Sequence, residues 1–270
     1  MVTLLTLVKY IEEIAPSRLV FAGMENRVEI GPQTDSEQEK TTINRVLVAT
    51  YPSGRVITRA SQEKANLLIT HRPLFPFALD RIYGADLIRI RLLTKNYISS
   101  FTVGTSWIAA RGGIADALVE TLGLLKVSEF MVVGDYNEMV AGGRICQPPS
   151  SMNHSRFANY IAEKLAIDTV LFTGSLDDEV GHTLVMPGYY IDMPEIVLAR
   201  KHDVKTLVTG ELSPDIRLMA TEEGLNLLEL GQFVTEEPGM KRLRHQISLE
   251  FPELRIEFAE SSPVSKGLSY

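Results

Sequence analysis

Apolar positions along the chain switch between a helical and a strand-like spacing. Leu4, Val8, Ile11 and Ile14 recur at helical intervals, and Pro16 stops that helix. Val28-Glu29-Ile30-Gly31 alternates as a short strand, whereas 32–42 is polar and aperiodic and reads as a loop. Arg45-Val46-Leu47-Val48-Ala49-Thr50 reads as a buried strand followed by a Tyr51-Pro52-Ser53-Gly54 turn. Ser53 is placed to cap a helix carrying Val56, Ile57 and Ala60. Leu67–Thr70 is a second buried strand, running into a loop at His71-Arg72-Pro73. A helix over 85–95, a strand over 97–103 and a helix Ile114–Leu122 follow. The last opens at Gly112-Gly113 and is closed by Gly123.

The second half repeats this order. Thr183–Met186 is a strand, Pro187-Gly188 a turn, Met193–Lys201 a helix and Thr206–Thr209 a strand. From first strand to closing threonine the two copies run 46 to 70, or 24 residues, and 183 to 209, or 26 residues. This points to an internal duplication. Between the copies, Gly142-Gly143-Arg144-Ile145 suggests a strand and 155–165 an amphipathic helix. After the second copy come Leu227-Leu228-Glu229-Leu230 and a helix over 239–251. The pattern is an α/β fold of two similar halves, 1–126 and 127–270, with a cleft between them. Return of the C-terminal strand and helix to the first half is left open.

Composition narrows the classes. The 270 residues suffice for two cores, and 45% hydrophobic with 23% charged is ordinary for a globular protein. A net charge of -7 argues against general nucleic-acid binding. The single cysteine, Cys146, excludes an intramolecular disulfide framework and fits a reducing, cytoplasmic setting. The N-terminal stretch carries Lys9, Glu12 and Glu13 and reads as an amphipathic helix, not a signal peptide. No run reaches the ~18 apolar residues of a membrane span.

Candidate chemistry starts at His71, just past a buried strand, where ligands bind in open α/β sheets. The other histidines show no metal-ligand spacing among themselves. Nucleophile-elbow, phosphate-loop and dinucleotide-binding signatures are lacking.

Taken in order, the pieces resemble the Nif-three-like family, dinuclear-metal proteins labelled GTP cyclohydrolase I type 2 homologues. The resemblance lies in Met24-Glu25-Asn26 before Val28-Glu29-Ile30-Gly31, in Ala49-Thr50, and in Leu67 through Phe75. It continues in Gly104-Thr105-Ser106-Trp107-Ile108 before Gly112-Gly113, in Thr209-Gly210-Glu211, and in Gly231 through Glu236. The resemblance implies metal ligands at 71, 72, 108, 232 and 236. Here only His71 and Glu236 keep the ligand type. The second histidine is Arg72, the aspartate is Ile108 and the closing histidine is Gln232. An arginine cannot ligate a cation, an isoleucine offers no donor, and Gln232 offers at best a weak neutral oxygen.

A dinuclear centre is therefore not expected, and catalytic residues are unassigned. The cofactor expectation is none tightly bound, or one divalent ion at His71, Glu236 and Gln232. Arg72 is expected to replace lost metal charge by pairing with Glu236, and Arg72, Arg111 and Trp107 are candidates for an anion or ligand cleft. A divergent, non-catalytic or altered anion- or small-molecule-binding protein is the first reading. The alternatives are a metal-dependent hydrolase of a phosphoester, nucleotide or cyclic amide, and an interaction scaffold. The resemblance also implies a homo-oligomer, a hexameric toroid.

Overall fold

The structure, a computed structural model, describes residues 1–261. In chain order its elements are α1 (Leu4–Ile14), β1 (Arg27–Ile30), α2 (Asp35–Lys40), β2 (Arg45–Ala49), α3 (Gly54–Gln62), β3 (Leu67–Thr70), α4 (Gly84–Lys95), β4 (Ser99–Thr102) and α5 (Ser106–Ala109). There follow α6 (Ile114–Leu122), β5 (Leu125–Val133), β6 (Met139–Gln147), α7 (His154–Leu165), β7 (Leu171–Thr173), β8 (Thr183–Met186), α8 (Met193–Lys201) and β9 (Thr206–Thr209). The chain ends in α9 (Pro214–Glu222), β10 (Asn226–Glu229), α10 (Gln232–Glu250) and β11 (Arg255–Ala259). Among the described residues no helix is long and apolar enough to cross a membrane.

One compact unit holds Met1–Ala110 with the described residues from Met240 onward. Its sheet has the order β1-β4-β3-β2-β11, with β11, β2, β3 and β4 parallel and β1 antiparallel at the edge. The C-terminal strand β11 thus lies beside β2. Every residue of β3 and β4 is buried, as parallel strands covered on both faces require. Leu47, Leu68, Ile57, Ala60, Leu93 and Ile98 form part of one core cluster on this sheet. Burial of each large aliphatic side chain is worth about 1.5–3 kcal/mol.

The other unit holds Arg111–Gly239 among the described residues. Its sheet has the order β5-β6-β8-β9-β10-β7, with β8, β9 and β10 parallel. The unit boundary falls at Ala110, not at 126, because α6 packs against β6, β8 and α7. Leu118 and Leu122 of α6 join Phe157, Ile161, Val185 and Val208 in a single cluster.

The repeat extends beyond the segments that reveal it in sequence. In each unit an N-capped helix (α1, α7) precedes an antiparallel edge strand (β1, β7), then three parallel strands joined by two helices. The capping residues occupy the same station: Thr3 bridges Thr42 just before β2, and Asn153 bridges Glu179 just before β8. Beside each bridge the backbone repeats a bond, Ile43 N to Val2 O at 2.9 Å and Val180 N to Met152 O at 3.1 Å.

Two local expectations change. Segment 32–42 is not all loop: Thr34 and Glu37 form a reciprocal capping box that starts α2. The last helix begins at Gln232, not 239, and continues through Pro238. A six-residue helix is too short to show a period, and proline reads as a stop, which hid both. The caps at Ser53 and Gly123 stand as read: Ser53 accepts from Val56 N, and Gly123 adopts φ +65°.

His154, at the start of α7, is fully buried. Thr206 Oγ1 spends its proton on Val180 O, so it accepts from His154 Nε2 at 2.8 Å. Nδ1 is thereby left as a buried lone pair without a hydrogen-bond partner among the described residues. Burial lowers the imidazole pKa below its ordinary value. The unfolded chain therefore takes up a proton that the folded chain resists. Stability from this residue is expected to fall as pH drops below about 6.5. Urea midpoints at pH 7.5 and 5.5 check this: His154→Gln should shrink the difference, and an unchanged difference refutes it.

Candidate functional site

In the first unit the carboxyl ends of β2, β3 and β4 bring Thr50, His71, Arg72 and Val103 together. Arg72 N donates to Thr50 O at 2.9 Å and Val103 N to Thr70 O at 2.7 Å, extending the ladder one residue past the strands. Thr70 Oγ1 closes the turn by donating to Arg72 O at 2.8 Å. His71 is fully buried, and Arg72 is 6% exposed. The His71 Nδ1 atom lies 2.9 Å from Val103 O. A carbonyl only accepts, so Nδ1 carries a proton.

Glu29 of β1 fixes the following loop. Its Oε2 accepts from Leu74 N at 2.6 Å and Thr102 Oγ1 at 2.8 Å. The matching loop of the second repeat uses the same device from another strand, with Glu229 Oε2 accepting from Leu212 N at 2.8 Å and pairing with Arg217. The sequence reading missed both carboxylates. The signal was there, since a charged residue inside a short apolar strand needs a partner if buried.

The segment Gly104–Ile108 is tied down by Asn26. Its Oδ1 accepts from Gly104 N at 3.0 Å and Ser106 Oγ at 2.8 Å, while Nδ2 donates to Ala15 O at 2.7 Å. Thr105 Oγ1 donates to Phe21 O and accepts from Phe21 N. Trp107 and Ile108 are fully buried, so Trp107 serves as core packing rather than as an exposed platform.

In the second unit the loops leaving β8 and β9 pack on the start of α10. Gly188 has φ +79°, and a Cβ there would come 2.8 Å from Glu236 Oε1. Gly188 N donates to Thr235 Oγ1 at 3.1 Å and Glu211 N to Gly188 O at 3.0 Å. Glu236 is fully buried, and Gln232 Nε2 donates to its Oε2 at 3.2 Å. His71, Arg72 and Trp107 thus belong to the first unit, and Arg111, Gln232 and Glu236 to the second. Of these, the structure joins Gln232 to Glu236 directly and carries Arg111 on an exposed position.

Next to Arg111 in the chain, Gly112 joins a buried ion pair. Arg144 Nε and Nη2 donate to Asp116 Oδ1 and Oδ2 at 2.7 and 2.9 Å, and Gly112 N donates to Oδ2 at 2.8 Å. The pair holds the Gly112-Gly113 turn at the start of α6. Nearby, burial pushes the Cys146 thiol up to about 12, so it stays an unreactive thiol at neutral pH.

The residues at the five positions do not fit two metal ions. Arg72 and Ile108 supply no lone pair. Gln232 presents an N–H, not an oxygen, to Glu236. Among the described residues no group of three or more His, Cys, Asp or Glu is placed to hold an ion.

Comparison with known proteins agrees with the order of motifs. A Clostridium perfringens protein named GTP cyclohydrolase 1 type 2 homolog is 26% identical over 260 residues, covering 94% of each chain. A Methanocaldococcus jannaschii protein of the same name is 23% identical, covering 93% of this chain and 98% of its own. Among solved structures, a Bacillus cereus protein related to NIF3 superposes with TM-score 0.83 at 18% identity, covering 100% and 99% of the two chains. Reduced HcgD from Methanocaldococcus jannaschii gives 0.76 at 22% identity, covering 95% and 97%. With the family pattern matching residues 2–265, the chain belongs to the family described as Duf34/NIF3 (NGG1p interacting factor 3).

Proposed function

We propose that this chain is an altered member of its family, in which the strand edge at His71 and Arg72 binds an anionic small molecule instead of two metal ions. The observation that carries this reading is Arg72, a guanidinium only 6% exposed, next to a histidine whose Nδ1 donates to Val103 O. The guanidinium's planar fork suits carboxylate or phosphate, and Arg72 stands at the carboxyl end of a parallel strand, where ligands bind in open α/β sheets. The cyclohydrolase chemistry in the relatives' names needs a hydrated metal, and the donor set here argues against one. The resemblance further suggests a hexameric ring.

A second reading, a hydrolase using one weakly held divalent ion, draws on His71 alone, whose carbonyl-bound Nδ1 is the arrangement metal-ligating histidines favour. One sample separates the two. Protein purified without chelator or nickel affinity is expected to contain near-zero transition metal by elemental analysis, and its mass in solution reads the assembly. Inorganic phosphate is expected to raise its melting temperature, an effect lost in Arg72→Gln. Two ions per chain would overturn the proposal, one ion would favour the hydrolase, and a phosphate effect that survives Arg72→Gln would remove the anion site.

A further inference from the structure

The repeat supplies its own control for a second site. In the first copy β2 ends at Ala49 and α3 is capped at Ser53, whereas in the second β8 ends at Met186 and α8 is capped at Asp192. The second connection is two residues longer, and it carries Tyr189 and Tyr190. Their rings stack at 5.0 Å between centroids and 26° between planes, with Tyr189 46% exposed. The shorter twin also carries a tyrosine, Tyr51, but that one is half-buried, whereas the longer connection leaves Tyr189 exposed beside a second ring.

The tyrosine borders a cavity of about 430 Å³ lying within the second unit, at the carboxyl ends of β8 and β9. Ile191, Leu212 and Ile216 give it an apolar floor, and its charged lining residues are Asp192 and Glu211. Asp192 is occupied as the cap of α8, accepting from Met193 N at 2.8 Å. Glu211 is exposed, and its Oε1 takes one 3.3 Å bond from Gln232 N. A carboxylate accepts several bonds, which leaves Glu211 able to receive two parallel N–H donors. In the first repeat the equivalent position, two residues past the strand-ending threonine, is Arg72. The charge is reversed.

We infer that this cavity binds a planar group with forked N–H donors, stacked on Tyr189 and paired with Glu211. Two sources have that chemistry: an aminopyrimidinone ring of the guanine type and a guanidinium. The site involves neither His71 nor Arg72, so it stands or falls separately from the anion site proposed above.

The test is calorimetric titration of the full chain at low ionic strength with guanosine, inosine, agmatine and putrescine. Guanosine or agmatine should bind, and inosine (which lacks the amino group) and putrescine (which lacks the planar fork) should bind at least about tenfold more weakly. Binding of guanosine alone assigns a nucleobase, and of agmatine alone a guanidinium. Glu211→Gln should weaken the bound probe about tenfold and Tyr189→Ala about fivefold, with Tyr189→Phe close to unchanged. Silence with all four probes up to about 10 mM, equal binding of guanosine with inosine and of agmatine with putrescine, or unchanged affinity in both weakening variants overturns the inference. The probe contrasts use the unaltered protein, so they decide the matter even if a variant fails to fold.

Discussion

Arg144→Met is expected to destabilise the protein by about 3–5 kcal/mol, because it leaves a buried carboxylate without its counter-charge. Arg144 is fully buried and grips Asp116 with two parallel hydrogen bonds, while its Nη1 serves Ala141 O and Gly143 O at 2.8 and 3.0 Å. Lys126 Nζ, 3.3 Å from Oδ1 and partly exposed, is too solvated to take over. The double variant Asp116→Leu with Arg144→Met should regain part of the loss. Gly112 N and the two carbonyls stay without their partners, which keeps recovery incomplete.

The same pair predicts a pH signature. Burial alone would push the Asp116 carboxyl up, but the Arg144 hydrogen bonds and charge outweigh it and hold the group well below the usual carboxylate range. A depressed folded value means the stabilisation is complete above the unfolded pKa of about 3.9. It is lost as pH falls from there toward the folded value. Urea unfolding from pH 7 to 3 should show the gap between the native protein and Asp116→Asn narrowing only below about pH 4. A gap that narrows between pH 7 and 5 would show that another group carries the effect.

Gly104→Ala is expected to cost about 3 kcal/mol, the upper end for forcing atoms into a filled core. A Cβ at this position would sit 1.8 Å from Met24 O and 2.6 Å from Met24 C. These are backbone atoms, and the segment carrying them is pinned by the Asn26 bonds to Gly104 and Ser106, so it cannot retreat cheaply. Gly104→His should therefore fail to yield folded protein, whereas Ser106→Ala, which removes one hydroxyl bond, should cost only about 1 kcal/mol. Thermal melts of the three variants check the order. A Gly104→Ala protein as stable as the native one would show that the 21–26 segment moves freely.

This clash shows that segment 104–108 is held by packing. In the sequence, Ile108 stands out only as the residue where the family resemblance implies an aspartate. The structure adds that the chain's own backbone fills the space at 104 and that Ile108 is fully buried. A larger side chain at 104 meets packing before it meets any chemistry.

What the sequence determined by itself was whatever depends on local period and local caps. The buried strands at Leu67–Thr70 and Thr206–Thr209, the caps at Ser53 and Gly123, the α/β alternation and the family all follow from residues close together in the chain. The tertiary structure decided the pairs whose members lie far apart. Glu29 meets Leu74, Asn26 meets Gly104, Asp116 meets Arg144 and Glu229 meets Leu212. In sequence each is one more polar residue, because period and propensity report which face a side chain occupies and not which distant partner waits there. The unit boundary at Ala110 has the same origin. Helix α6 follows the first unit in the chain, but its apolar face belongs to the core of the second, and burial of that face outweighs chain proximity.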